Sequence, residues 1–144
     1  MGASGWDYVT AYRGNLASTL AGLHAEVFDG DGSYFRRVLD RWGLPQPANL
    51  DELWGERYGE FMGNNGTHSI LDILTMEDIA PLSNDEVIET LKTDRPTRAD
   101  WDREAGQFAR GVAHLLGERW TGRCVLLFKN GEPDEVAFWG FSGD

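Results

Sequence analysis

Thr67-His68-Ser69-Ile70-Leu71-Asp72 is the stretch of this chain with the widest chemical repertoire. An imidazole near a carboxylate suits general acid–base work, because one can accept a proton while the other orients it. Residues 67–74 read as a strand. On a strand His68, Ile70 and Asp72 share a face, and His68 and Asp72 lie roughly 13 Å apart along it, too far for a direct pair. His68 would then need a carboxylate from elsewhere, such as Glu118 or Asp144. The chemistry implied is that of a small hydrolase or transferase. Its candidate catalytic residues are His68, Asp72 and Glu118, with the cleft at Gly63 and Gly66. The plainer reading is a structural histidine at the start of a strand.

Other reactive groups lead less far. Asp29, Asp31 and Ser33, with Asp40 at the twelfth position, follow the oxygen-ligand spacing of a calcium loop between two helices. The sixth position, which needs glycine for its turn, is Tyr34, and Arg36 and Arg37 add positive charge inside the loop. A polar helix–helix turn is therefore expected, with no metal. Cys124 is the single cysteine, so no internal disulfide can form. It sits in an apolar run, where a thiol behaves as a small hydrophobe. No residue pattern calls for a cofactor. Tyr12-Arg13-Gly14, Ser18-Thr19 and Asp134-Glu135 resemble, in outline, the Arg, Ser-Thr-Ser and Glu elements of ADP-ribosyltransferases. The second element falls in a helical pattern and the third lacks Glu-x-Glu spacing, so no activity carries over.

Charge and aromatic content point to a different class. The chain has 144 residues, with 24 acidic and 13 basic side chains, giving a net charge of −11. Nucleic acid and anionic membranes are poor partners for such a surface, since both require cations on the protein. A basic protein partner suits it, steered by electrostatic attraction. Six tryptophans supply the side chain that most often anchors an interface. Trp6, Asp7, Tyr8, Arg13, Trp54, Trp139, Phe141 and Asp144 are the candidate binding residues. An acidic binding module follows, for example an immunity-type inhibitor or antitoxin that neutralises a basic partner. The absence of a bilayer-length apolar run and of a signal-peptide pattern predicts a cytoplasmic protein.

The elements that must position these groups are legible in part. Thr97 and Asp100 form a capping pair that opens a helix. Its stripe is Trp101, Ala105, Phe108, Val112, Leu115 and Leu116, interrupted by Gly106 and Gly111. A close neighbour crossing there would explain the two glycines. Asn130-Gly131 sits between two apolar runs and predicts a hairpin, with Glu132-Pro133 lengthening its loop. In the returning run Val136 and Phe138 point one way, and Ala137, Trp139 and Phe141 the other. Upstream, the alternation over residues 6–12 predicts a further strand. Asn15, Ser33, Asn49 and Ser83 are the expected helix caps. His24 lies off the apolar stripe of its helix and is expected in solvent. Residues 55–66, rich in glycine, read as a mobile loop, and residues 76–82 as a connection.

Gly-Trp-Asp-Tyr near the start, Gly-Thr-His-Ser-Ile-Leu-Asp in the middle and Phe-Trp-Gly-Phe-Ser-Gly-Asp at residues 138–144 make the chain similar to a group of small acidic proteins from actinobacteria. That resemblance covers most of the chain and implies no activity, cofactor or catalytic residue. The expected architecture is one globular α+β domain over residues 1–144. A small antiparallel sheet with a C-terminal hairpin packs with about five helices. Its strands are expected near residues 6–12, 68–74, 124–128 and 136–141.

Overall fold

The computed structural model describes residues 4–30 and 33–143 and is α+β. Its sheet has four strands: β1 (Gly5–Ala11), β2 (Ile79–Pro81), β3 (Thr121–Lys129) and β4 (Glu132–Phe141). Their order is β1-β4-β3-β2. Both β1 and β3 run antiparallel to β4, and the short β2 runs parallel to β3. Among the described residues there are six α-helices: α1 (Leu16–Asp29), α2 (Tyr34–Arg41), α3 (Leu50–Leu53), α4 (Gly59–Asn64), α5 (Asn84–Leu91) and α6 (Arg98–Ala105). None is long and apolar enough to cross a membrane.

The hairpin forms as its residues dictate. Asn130 and Gly131 both take positive φ, the requirement of a two-residue turn whose twist matches the strands. Glu132 pairs with Lys129 and Pro133 with Phe128, so these residues belong to the strand and do not lengthen the loop. The register shifts between Leu127 and Phe128, a bulge that places Pro133 where a ladder donor is not needed. Both faces of the hairpin are buried. Val125, Leu127, Ala137 and Trp139 pack with Val87, Leu91 and Trp101 of α5 and α6. Cys124, Val136 and Phe138 pack on the other side with Trp6, Leu20 and Leu23. Burial pushes the Cys124 thiol up to about 12.

Several segments depart from the pattern of their residues. Residues 67–74 form no strand. Ser69 caps a 3₁₀ turn, Ile70–Asp72, by accepting from the Leu71 N–H. The Asp72 carboxylate accepts from the Thr67 N–H at 2.7 Å, the Thr67 hydroxyl at 2.9 Å and the His68 N–H at 3.2 Å. Local side-chain bonds thus satisfy a backbone that a ladder would otherwise have to satisfy. The fourth strand is instead β2, inside the stretch expected to be a plain connection.

The expected long helix is also broken. It stops at Gly106, φ 66°, and restarts as a 3₁₀ segment, Gln107–Leu115, in which Phe108 and Ala109 have φ 58° and 53°. The restarted segment folds back on α6 so closely that a Cβ on Gly111 would overlap the Glu104 carbonyl oxygen. Phe108 leaves the apolar stripe and is 67% exposed, while Ala109 takes the buried place.

Residues 55–66 hold a 3₁₀ turn, Glu56–Tyr58, and α4, because Tyr58 and Phe61 are fully buried and pin them down. His24 is buried, not solvated. Its Nε2 bonds the Ile73 carbonyl oxygen at 2.8 Å, and burial lowers its pKa. Ser33 precedes α2 without capping it, its hydroxyl donating to the Gly30 carbonyl oxygen instead. The caps at Asn15, Asn49, Ser83 and Thr97 form as expected.

Candidate functional site

The outer half of the sheet and the 3₁₀ segment Gln107–Leu115 enclose a cavity of about 230 Å³. Its position follows from register. Gly5 is opposite Phe141, Trp6 opposite Gly140 and Asp7 opposite Trp139 in the β1–β4 pair. Residues opposite one another share a face, so Asp7, Trp139 and Phe141 all look toward the 3₁₀ segment. The roof comes from that segment, through Phe108, Ala109 and Ala113, and from Leu116 just after it. Three predicted binding residues, Asp7, Trp139 and Phe141, therefore face one cavity; a fourth, Trp6, adjoins it from a strand position whose side chain turns the other way.

Each wall is held from behind. The Trp139 indole N–H donates to the Val112 carbonyl oxygen at 3.1 Å, and its ring lies 5.1 Å from that of Trp101. The Trp6 side chain lies on the opposite face of the sheet, the outer part of its six-membered ring over Gly122 and Gly140. A Cβ on either glycine would overlap its ring, so two adjacent strands are stripped of side chains to let one indole lie on the backbone. The positive φ of Phe108 and Ala109 is a strained conformation for residues with a Cβ. It turns Phe108 out to the rim, where the Arg110 guanidinium sits 5.6 Å from its ring centroid.

Asp7 is the one acid among the residues lining this cavity. It is exposed at the mouth, yet the surrounding apolar walls remove enough water to raise its pKa. No described side chain forms an ion pair or hydrogen bond with it. A carboxylate held this way gains from a cation, which restores the charged form without rehydrating it. Aromatic faces close by favour the same ligand.

The remaining predicted residues lie elsewhere. Tyr8 is on the far face, half-buried with its hydroxyl near Ser69 and the Ile70 backbone, and desolvation raises its pKa. The Trp54 indole donates to the Leu71 carbonyl oxygen at 2.9 Å, and the ring lies half-buried against the core. Arg13 is exposed and pairs with Glu26 at 3.4 Å. Asp144 and Asp31 lie outside the described residues. Of the other calcium-loop candidates, Asp29 is exposed and the Asp40 carboxylate accepts from Gln46 Nε2 at 2.8 Å.

The predicted catalytic residues are arranged differently from a strand-borne set. The premise of a His68–Asp72 spacing along a strand fails, since the turn brings Asp72 onto the His68 backbone. His68 Nδ1 lies 3.0 Å from Ser4 Oγ, and its ring lies 4.7 Å from that of Tyr34. Glu118 is exposed before β3, its main-chain carbonyl accepting from the Thr121 hydroxyl. Ser4 escaped notice because 64 residues separate it from His68. The cavity roof left one signal, Gly106 and Gly111 in an otherwise helical stripe. No family model, curated protein or solved structure matches the chain.

Proposed function

We propose that this protein is an acidic binding module that takes a lysine or arginine side chain of a basic protein partner into the cavity at Asp7. The observation that carries this reading is an ion-pair-free, partly desolvated carboxylate at the mouth of an aromatic cavity. A cavity of about 230 Å³ suits one side chain better than a metabolite, since small-molecule pockets usually span about 300–1,000 Å³. The rim already accommodates a guanidinium, that of Arg110 against Phe108. The net charge of −11 supplies long-range attraction. A role as an immunity-type inhibitor or antitoxin accords with these features.

The test is a two-dimensional NMR titration with Nα-acetyl-arginine methylamide and the lysine equivalent at low salt. The expected result is saturable shifts at Gly5, Asp7, Trp139 and Phe141 that vanish in Asp7→Asn. They should weaken toward physiological salt, where the screening length is about 8 Å. Shifts that ignore both the substitution and the salt would defeat the reading.

One contact favours a second reading, hydrolysis by a serine. Ser4 Oγ lies 3.0 Å from His68 Nδ1, the distance at which an imidazole can take the hydroxyl proton during attack on a carbonyl. A fluorophosphonate probe should then label Ser4 in the wild type and not in His68→Gln. Absence of labelling in the folded wild type would remove this reading.

A further inference from the structure

The cavity opens beside a sheet edge, and the two edges of this sheet are treated differently. On one side β2 has three residues and ends in Pro81, which has no N–H to offer. Short strands and prolines are standard ways of closing an edge. On the other side β1 has seven residues, Gly-Trp-Asp-Tyr-Val-Thr-Ala, with no proline and no lysine.

The direction of the free main-chain groups on β1 follows from its ladder with β4. The Ser142 N–H donates to the Ser4 carbonyl oxygen, and the Tyr12 N–H donates to the Asp134 carbonyl oxygen. Even-numbered residues of β1 therefore face β4. By alternation, Gly5, Asp7, Val9 and Ala11 turn their N–H and C=O groups outward. Among the described residues nothing bonds to these groups.

We infer that an extended segment of the basic partner adds to β1 as a fifth strand and places its lysine or arginine opposite Asp7. This rests on the cation-binding reading and specifies how the partner is presented. Asp7 would exchange both main-chain bonds with the residue opposite it. That residue's side chain would then project on the face of Asp7 and Trp139, over the cavity. Main-chain pairing would supply affinity and the cavity would select a cation. Charge decides against a second copy of this chain as the occupant, because two molecules of charge −11 repel. A solitary Asp on an edge strand also deters aggregation, but deterrence requires neither a cavity nor aromatic walls.

The experiment uses the full chain and the peptide acetyl-Thr-Val-Arg-Val-Thr-amide, followed by NMR and calorimetry. With Arg opposite Asp7, the two Thr N–H groups face β1 and the two Val N–H groups face away. N-methylation of both Thr should weaken binding about thirtyfold, two main-chain bonds lost at their usual net value. N-methylation of both Val should change it little. The two analogues carry equal charge, so a difference between them reports main-chain pairing alone. Equal binding of both, with shifts confined to the cavity, would overturn strand addition and leave the cation reading standing. Binding unaffected by Asp7→Asn in a variant whose NMR spectrum shows it folded, or no binding, would overturn both. Concentration-dependent dimerisation through β1 in sedimentation would assign the edge to a second copy and also overturn the inference.

Discussion

Asp7 and Trp139 stand directly opposite one another in the β1–β4 pair, so a carboxylate and an indole share one face of the sheet. Asp7 lines a cavity that offers it no cation, while Trp139 is fixed by its bond to the Val112 carbonyl oxygen. One member of the pair is anchored and the other is left in need of a partner. The proposed recognition site would use that asymmetry, and its cost in stability can be measured.

Asp7→Asn should stabilise the isolated protein slightly at neutral pH while removing cation binding. The folded pKa of Asp7 is raised by desolvation, so folding disfavours its charged form. The sign follows: wild-type stability rises as pH falls through the raised folded value toward the ordinary value of 3.8. Urea denaturation across that window should show the rise in wild type and its absence in Asp7→Asn. A destabilised Asp7→Asn at pH 7 would mean that the carboxylate has a structural partner.

The indole of Trp6 makes Gly122 and Gly140 irreplaceable. Gly140→Ala should destabilise by about 1–3 kcal/mol or more, since overpacking forces either the ring or the strand to move. Gly63→Ala is the control. It lies in α4, nothing lies within 4 Å of its would-be Cβ, and it should be neutral or stabilising by up to about 1 kcal/mol. Equal denaturation midpoints for the two variants would contradict the packing described for Trp6.

Glu86 and Arg123 should dominate part of the acid response. The Arg123 guanidinium donates to both Glu86 oxygens, at 2.7 and 3.1 Å, and this bond is the main cause that holds the Glu86 pKa down at about 2. Arg123 also donates to the Ala80 and Leu115 carbonyl oxygens, joining β3 to β2 and the 3₁₀ segment. A lowered carboxylate pKa contributes stability that is complete above the ordinary value of 4.5 and is lost as pH falls toward about 2. Glu86→Gln should flatten the stability profile in that window. The flattening will be modest, because the pair is partly solvent-exposed.

Cys124 should be inert in the folded protein. It is fully buried and its thiol is pushed up to about 12. Iodoacetamide at pH 8 should modify it only after denaturation. Rapid labelling under native conditions would show that β3 opens locally.

The hairpin, β1 and the helix caps at Asn15, Asn49, Ser83 and Thr97 are legible in the sequence because local chemistry determines them. Asn130-Gly131 specifies a turn whatever surrounds it, and Ser83 with Glu86 specifies a helix start. Apolar residues on both faces of the hairpin strands need cover on each side, which α1 on one side and α5 and α6 on the other provide. Residues 67–72 misled because His68, Ile70 and Asp72 alternate like a strand, whereas the Asp72 carboxylate gathers three nearby donors into a turn. Residues 106–111 misled because Phe108 fits a helical stripe, whereas Gly106, Phe108 and Ala109 take positive φ and the chain folds back onto α6. Three of the predicted binding residues, Asp7, Trp139 and Phe141, face the cavity, and register accounts for this, since they share one face of the β1–β4 pair. Tyr8 and Trp54, binding candidates by residue type, lie half-buried against the core and away from the cavity.

The most direct test of the central claim is the pKa of Asp7, followed through its carboxyl carbon by NMR with and without saturating Nα-acetyl-arginine methylamide. Free protein should show a value above the ordinary 3.8. Bound protein should show a lower one, because a cation in the cavity favours the ionised carboxylate. An Asp7 pKa that starts at the ordinary value, or that does not move when the ligand binds, would contradict the account.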